Sequence, residues 1–259
     1  MKNYYLIDLV KDKKVSIVGP ASYLKLVPEN LNKINEADII VRINRGMTLV
    51  EGYSELVGER TDILYNCMQD NLLNGGVLDV EFLTNSSVIH IRALPWSDHS
   101  GNSPEMKLRT TETALEKIKL LQEKGMMMTM IDNVYLSNLG SLINCRPTTG
   151  YAALMDLIFH NPKSIHVSGF SFYLGGVLEG YFKSNQPGGI EDIHGRTEKE
   201  EAERNFNSTR HVHKNMWRLL KDIHDKIDVD ITFDPILEKI INLKEYSKTS
   251  YQKIIEDFK

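Results

Sequence analysis

Short apolar runs rich in Val, Ile or Met recur along the chain, each halting at a glycine, asparagine or other turn-forming residue and each followed by residues of helical spacing. The stretch "KKVSIVGPASYLKLVPEN" predicts a buried strand through Val15, Ile17 and Val18. A tight turn at Gly19 and Pro20 follows, and then a helix or irregular turn. "ADIIVRINRG" and "RTDILYNC" repeat the theme and end at Asn44 and Asn66, while "SSVIHIRAL", "MMMTMID" and "SIHVSGFSFY" add further runs. Helical patterns from about Thr110 to Lys124 and in "TGYAALMDLIFH" lie between them. Strands that alternate with helices call for a parallel sheet covered on both faces, because parallel neighbours need a long crossover. The expected class is therefore α/β, with a single domain over residues 1–259. In such a sheet the ligand crevice lies beyond the carboxyl ends of the strands, where Gly19, Asn44, Asn66 and Ser171 to Tyr173 fall.

Two segments stand apart. Residues 183–210 lack apolar periodicity and carry eleven charged side chains, which predicts a mobile lid. The tail 235–259 is helical in pattern, with Ile236, Leu237, Ile240 and Ile241 and then Tyr251, Ile254, Ile255 and Phe258 on one side. Such a face packs on the body, on a second copy or on a membrane surface, and packing on the body is the expectation.

Composition narrows the function classes. A formal net charge of −4 and a pI near 6.1 do not supply the basic face that nucleic acid requires. No run approaches the ~18 apolar residues of a membrane-spanning helix. Cys67 and Cys145 are the only cysteines and lack metal-ligand spacing, which favours a reducing cytoplasm, with peripheral contact at the inner face of a membrane compatible with it.

The turn "GPASYL" holds one glycine where a dinucleotide fingerprint needs three, and the chain lacks a lysine-bearing phosphate loop. Asn44 and Asn66 at successive strand ends each offer an amide donor and acceptor, suited to a ribose or a pyrimidine edge; each is equally able to cap its own turn. Thr148, Thr149 and Gly150 stand just ahead of a helix, where hydroxyls and unpaired backbone N–H groups can hold a phosphate or simply cap the helix. Arg146 brings positive charge to the same place. Tyr173 and Tyr181 are neutral phenol donors able to stabilise charge on a leaving phosphate. "DVDITFD" contains an Asp-x-Asp, yet its alternation of apolar and polar residues is also that of a strand with one solvated face. His211 and His213 would share a face on a strand as a metal pair. On the helix that follows they would diverge, leaving one to face a cleft, and a helix start favours the neutral imidazole that a general base needs.

Taken in order, "IVGPASYL", "ADIIVRINRG", "GERTDILYNC", "RPTTGYAALMDLIFHNPKSIHVSGFSFY" and "HVHKNMWRLL" resemble the sialyltransferases. The first three resemble the large sialyl motif of glycosyltransferase family 29 and the fourth its small motif. The spacing from "CRPTTG" through "GFSFY" to the histidines is similar to that of the bacterial family 42 enzymes. The likeness runs in blocks from about residue 14 to 232. It implies a single Rossmann-like nucleotide-binding domain of variant GT-A type and an inverting, metal-independent transferase that moves an acidic nonulosonic sugar, of sialic acid or Kdo type, from a CMP-sugar donor to a glycan hydroxyl, such as one of a lipopolysaccharide or capsule. No cofactor is implied beyond the CMP-sugar itself, and no nucleic-acid partner; a homo-oligomer is compatible with it.

Carried over by position, Gly19, Ser22, Asn44 and Asn66 contact CMP, joined by Ser171 and Phe172, while Thr148, Thr149 and Gly150 support its ribose and phosphate. Tyr173 and Tyr181 match the phenols on the departing phosphate, Arg146 a cleft arginine, and His211 the base. His211 is chosen over His213 on register, since it brings Leu219 and Leu220 onto apolar helix positions; His213 is left as a bystander or a minor acceptor contact. The chain departs from the pattern at Pro20, where an asparagine is usual, at Met216, where family 29 has a glutamate, and at Ser171, where family 42 has an acidic residue. The family 29 disulfide has no counterpart at Cys67 and Cys145. Two rival readings stay open: a metal-dependent UDP- or GDP-sugar transferase resting on Asp228 and Asp230, and a non-catalytic nucleotide-binding protein resting on the departures at Pro20 and Met216.

Overall fold

The computed structural model describes residues 5–68, 80–94, 115–179, 181 and 198–259. Among the described residues seven strands form one sheet, parallel throughout, in the order β5-β4-β3-β2-β1-β6-β7. They are β1 Lys14–Val18, β2 Ile39–Ile43, β3 Ile63–Asn66, β4 His90–Ala93, β5 Met127–Met130, β6 Ser164–Ser168 and β7 Asp230–Phe233. The apolar runs read from the sequence account for all seven. Strands β2, β3 and β4 are buried along their whole length, as strands covered on both faces must be, whereas the edge strands β5 and β7 are half-exposed.

The order reveals where the chain reverses. From β1 it steps outward to β5, then crosses back over the sheet to lay β6 on the other side of β1. Right-handed crossovers in opposite directions deliver helices to opposite faces and leave a crevice where the carboxyl ends of β1 and β6 part. The returning crossover carries two helices, Asn133–Ile143 and Thr149–Phe159. The second begins with Thr148 as N-cap, its hydroxyl accepting from Tyr151 N at 3.2 Å, and it packs on β2 and β3.

Beneath that helix lies a buried polar network that fixes its rotation. Asp156 receives Arg92 through Nε at 3.0 Å and Nη2 at 3.1 Å, and Tyr65 Oη at 2.8 Å. Arg92 also donates to Thr129 Oγ1 and Met130 O, spanning β4 and β5. A charge pair so enclosed is held by its own hydrogen bonds, and removing one partner from such a pair costs about 3–5 kcal/mol.

The tail packs on the body. In helix Pro235–Ile241, Ile236, Leu237, Ile240 and Ile241 are fully buried, each side chain contributing about 1.5–3 kcal/mol, and in helix Lys248–Asp257, Tyr251 and Ile254 are buried. Asp234 caps the first of these helices through Ile236 N and Leu237 N, and its other oxygen accepts from Tyr23 Oη at 2.7 Å and from Gly169 N at 2.9 Å. One buried carboxylate thus ties the end of β7, the turn after β6 and the turn after β1.

The expected lid divides. Residues 182–197 lie outside the described residues. The remainder is not irregular: Glu198–Phe206 is a helix, as its run of Glu, Lys and Ala favours, and Lys248 lies 4.3 Å above the Phe206 ring while pairing with Glu203. Among the described residues no helix is long and apolar enough to cross a membrane.

Candidate active site

At the carboxyl ends of β1 and β6 two backbone segments press together. Gly19 N donates to Ser168 O at 2.8 Å and Ala21 N to Gly169 O at 3.0 Å. A Cβ on Gly19 would stand 2.4 Å from Gly169 O, and one on Gly169 2.3 Å from Gly19 O; Gly169 also has φ +71°. Only glycine allows this approach. Two further backbone bonds, Ser22 N to Gly176 O and Leu178 N to Pro20 O, stitch the loop after β6 onto the turn after β1. The loop therefore arches over the crevice.

Beside this contact opens a cleft, part enclosed and part open to solvent. The predicted residues Asn44, Thr148, Thr149, Gly150, Ser171, Phe172, Tyr173 and Tyr181 all line it. Thr149 and Gly150 bring the first turn of their helix to its wall, where the positive end of the dipole and unpaired N–H groups suit an anion. Asn44, held at φ +50°, accepts from Cys67 N through Oδ1 at 3.0 Å, so it both faces the cleft and joins the ends of β2 and β3. Phe172 and Tyr173 have φ of +49° and +58°, a left-handed pair of aromatic residues that costs about 1–2 kcal/mol for each. That cost turns the Tyr173 ring inward, against His213 at 4.6 Å between centroids. Tyr181 is buried, which holds its phenol protonated; nearby Tyr173 pushes the same way and Arg45 opposes.

Five predicted residues are not part of the lining: Gly19, Ser22, Asn66, Arg146 and His211. Gly19 acts through the backbone contact with Gly169. Ser22 belongs to the stitch. Asn66, buried, accepts from Met68 N at 2.7 Å as a turn cap. Arg146 contributes its backbone: its N donates to Arg210 O at 3.1 Å and its O accepts from His211 Nδ1 at 2.9 Å. Burial and then the neighbouring Arg210 lower the pKa of its guanidinium.

The histidine segment is laced to residues 143–146 by those two bonds, by Asn215 Nδ2 to Ile143 O at 2.7 Å and by Cys145 Sγ to Val212 O at 3.8 Å. The helix here begins at His213, with Val212 as N-cap, so His211 sits on the preceding turn and helical divergence does not separate the pair. A carbonyl only accepts, so Nδ1 of His211 carries a proton, and in the neutral ring the lone pair is on Nε2. His213 donates through Nε2 to Asn205 O at 3.0 Å, and its ring lies 6.5 Å from that of His211. His213, not His211, lines the cleft, a position that sequence register alone did not give it. Met216, one of the departures, lines it too, and Thr148 Oγ1 lies 3.9 Å from its Sδ.

Sequence reasoning also passed over Phe170, Tyr151 and Val177 as lining. Phe170 lies in "SGFSFY", which reads only as the end of a strand, Tyr151 in the helical "TGYAALMDLIFH" and Val177 in "LGGVLEG", where neither carries a signal of its own. Asp228 and Asp230 are exposed and sit before and at the amino end of β7, the opposite end of the sheet from the cleft, which removes the basis for a metal role there.

Burial holds three histidines neutral. The pKa values of His90, His166 and His213 fall from 6.5 to about 4, chiefly by desolvation, with further lowering from Arg92, Lys33 and His211 respectively. The unfolded chain takes up these protons near pH 6.5 and the folded chain only near 4. Stability is therefore full above 6.5 and lost as pH falls toward 4, by up to about 1.4 kcal/mol per pH unit for each histidine. Urea midpoints should fall steadily between pH 6.5 and 4.5; a flat profile across that window contradicts the burial of these rings.

The whole arrangement is a parallel α/β fold with its cleft at the strand-order reversal. The fold is shared with solved sialyltransferases. Over 95% of this chain and 86% of that one it matches the monofunctional alpha-2,3-sialyltransferase Cst-I from Campylobacter jejuni, at a TM-score of 0.56 and 17% identity. Over 85% of this chain and 80% of that one it matches a variant of the sialyltransferase Cst-II in complex with CMP, at a TM-score of 0.50 and 14% identity. No family model and no curated protein matches the sequence.

Proposed function

We propose that the protein is an inverting, metal-independent glycosyltransferase that moves an acidic nonulosonic sugar from CMP to a glycan hydroxyl. The observation that carries this reading is the cleft itself. A helix N-terminus at Thr148, Thr149 and Gly150 and two phenols, Tyr173 and Tyr181, line one cleft, in the fold of an enzyme solved with CMP.

In the reaction the acceptor oxygen attacks the anomeric carbon as the bond from that carbon to the phosphate oxygen breaks, so the centre inverts through an oxocarbenium-like state. His211 Nε2 takes the hydroxyl proton; its ring is oriented by the bond from Nδ1 to the Arg146 carbonyl. The phosphate gains a second negative charge as CMP leaves, which the Tyr173 and Tyr181 hydroxyls and the helix N-terminus stabilise. Asn44 contacts the nucleoside. His213 is a positioning residue that braces the Tyr173 ring and anchors Asn205.

The ligand class is tested by thermal shift against CMP, CDP, UDP, GDP and S-adenosylmethionine, each with and without chelator. CMP at 100 times its Kd stabilises by about 2.7 kcal/mol, a shift of several degrees for one domain of this size, and chelator leaves it unchanged. Stabilisation by UDP or GDP that chelator abolishes would overturn the reading.

A further inference from the structure

The loop that presents Tyr173 is held from outside the cleft, by the tail. Tyr246 lies between the two tail helices, and its Oη donates to the Phe172 carbonyl at 2.6 Å. Phe172 and Tyr173 are the left-handed pair, so this hydrogen bond lands on the strained peptide unit that aims the Tyr173 ring. Strained backbone persists only where its surroundings over-determine it. Tyr246 is itself fixed on two sides. Its ring stacks on Phe206 at 6.0 Å and an interplanar angle of 9°, and tilts against Trp217 at 5.8 Å. Phe206 ends the helix whose Asn205 carbonyl holds His213, and Trp217 lies on the helix that His213 begins.

A second contact from the tail supports the same loop. Tyr251 packs so closely on Gly175 that a Cβ there would stand 2.2 Å from its Oη. The tail thus touches the loop at two places, Phe172 and Gly175.

We infer that Tyr246 is a positioning residue of the transfer reaction: its hydroxyl locks the left-handed Phe172–Tyr173 turn, and its ring keys that turn to the two helices that hold His213. The inference rests on the transferase reading for its kinetic consequence, and on geometry alone for its structural one. The hydroxyl is a neutral donor at any working pH, since burial raises its pKa.

The test is Tyr246→Phe in the full chain, which keeps the ring stack and deletes only the bond to Phe172. With tyrosine rings labelled with ¹³C and the Tyr173 signal assigned by its loss in Tyr173→Phe, Tyr246→Phe shifts or broadens the Tyr173 signal while the melting temperature stays within about 3 °C of wild type. Turnover of a CMP-linked acidic sugar falls about tenfold in kcat, with donor KM within about threefold, because the phenol is misaligned for the leaving group more than for the ground state. An unchanged Tyr173 signal overturns the inference whatever the kinetics. A collapse of melting temperature with kcat and KM of the folded fraction unaltered also overturns it, in favour of a purely structural tyrosine. A displaced Tyr173 signal in a protein whose wild type turns over no CMP-sugar leaves the lock standing and overturns the transferase reading instead.

Discussion

Replacing His211 with alanine is expected to lower the transfer rate by about 10²–10⁴-fold, the range in which a positioned general base contributes, while CMP binding stays within a few-fold of wild type. The expectation follows from the ring's tautomer. The Arg146 carbonyl accepts from Nδ1, which places the lone pair on Nε2, and Arg146 lies two residues before the helix cap Thr148 at the cleft wall. His213 differs. It is buried, held neutral to about pH 4, and anchored through the other nitrogen. A base with so low a pKa has little affinity for a proton at neutral pH, so His213→Ala should act through Tyr173 alignment and fold stability, with a smaller loss in kcat. Initial rates of CMP release and CMP affinity by calorimetry decide between them. If His211→Ala keeps near wild-type transfer while His213→Ala loses it, the base is His213, and its place in the cleft lining is the reason.

The Gly169→Ala variant is expected to lose about 3 kcal/mol or more of stability and its affinity for CMP with it. Its φ of +71° costs an L-residue about 1–2 kcal/mol, and the added methyl would meet the Gly19 carbonyl carbon at 2.8 Å and its oxygen at 2.3 Å. Neither group can yield, because Gly19 is tied to Ser168 and Gly169 to Asp234. Gly125→Ala is the matched control. Its φ is +85°, yet a Cβ there meets nothing within 4 Å, so it should lose only the conformational part, about 1 kcal/mol. Chemical unfolding of the two variants, read with CMP affinity, separates strain from crowding. Equal losses in both would mean that the contact between the two turns does not hold the cleft.

The parallel sheet was legible because burial on both faces demands runs such as "SIVG" and "IIVRI", which no half-solvated strand would carry. Where those runs stopped, the cleft residues followed, since parallel strands deliver all their carboxyl ends to one edge. Asn44 and Tyr173 could be placed for that reason, and Thr148 because it stands just ahead of a helix. The reversal that seats β6 beside β1 could not be read, because strand order is a property of pairing and not of pattern. Asp234 shows the limit most clearly. In sequence it is one polar position of an alternating strand; in the fold its carboxylate reaches Tyr23, 211 positions away, and Gly169. The left-handed turn at Phe172 and Tyr173 was equally hidden, as aromatic residues give no sign that they will adopt it. The helix Glu198–Phe206 was read as loop because it has no apolar stripe; its stability comes from propensity and from Phe206 meeting Tyr246. The tail was read as helical packing, which it is, but its contact with Phe172 has no local signature.

The central claim is that this cleft transfers an acidic sugar from CMP with inversion and without metal. It is tested most directly by incubating the protein with CMP-sialic acid or CMP-Kdo and a panel of glycan acceptors, and following CMP release and the anomeric configuration of the product by NMR. The account predicts acceptor-dependent CMP release from one of these donors, a product of inverted anomeric configuration, and rates unchanged by chelator. No release from either donor, with metal-dependent turnover of a UDP- or GDP-sugar in its place, would contradict it.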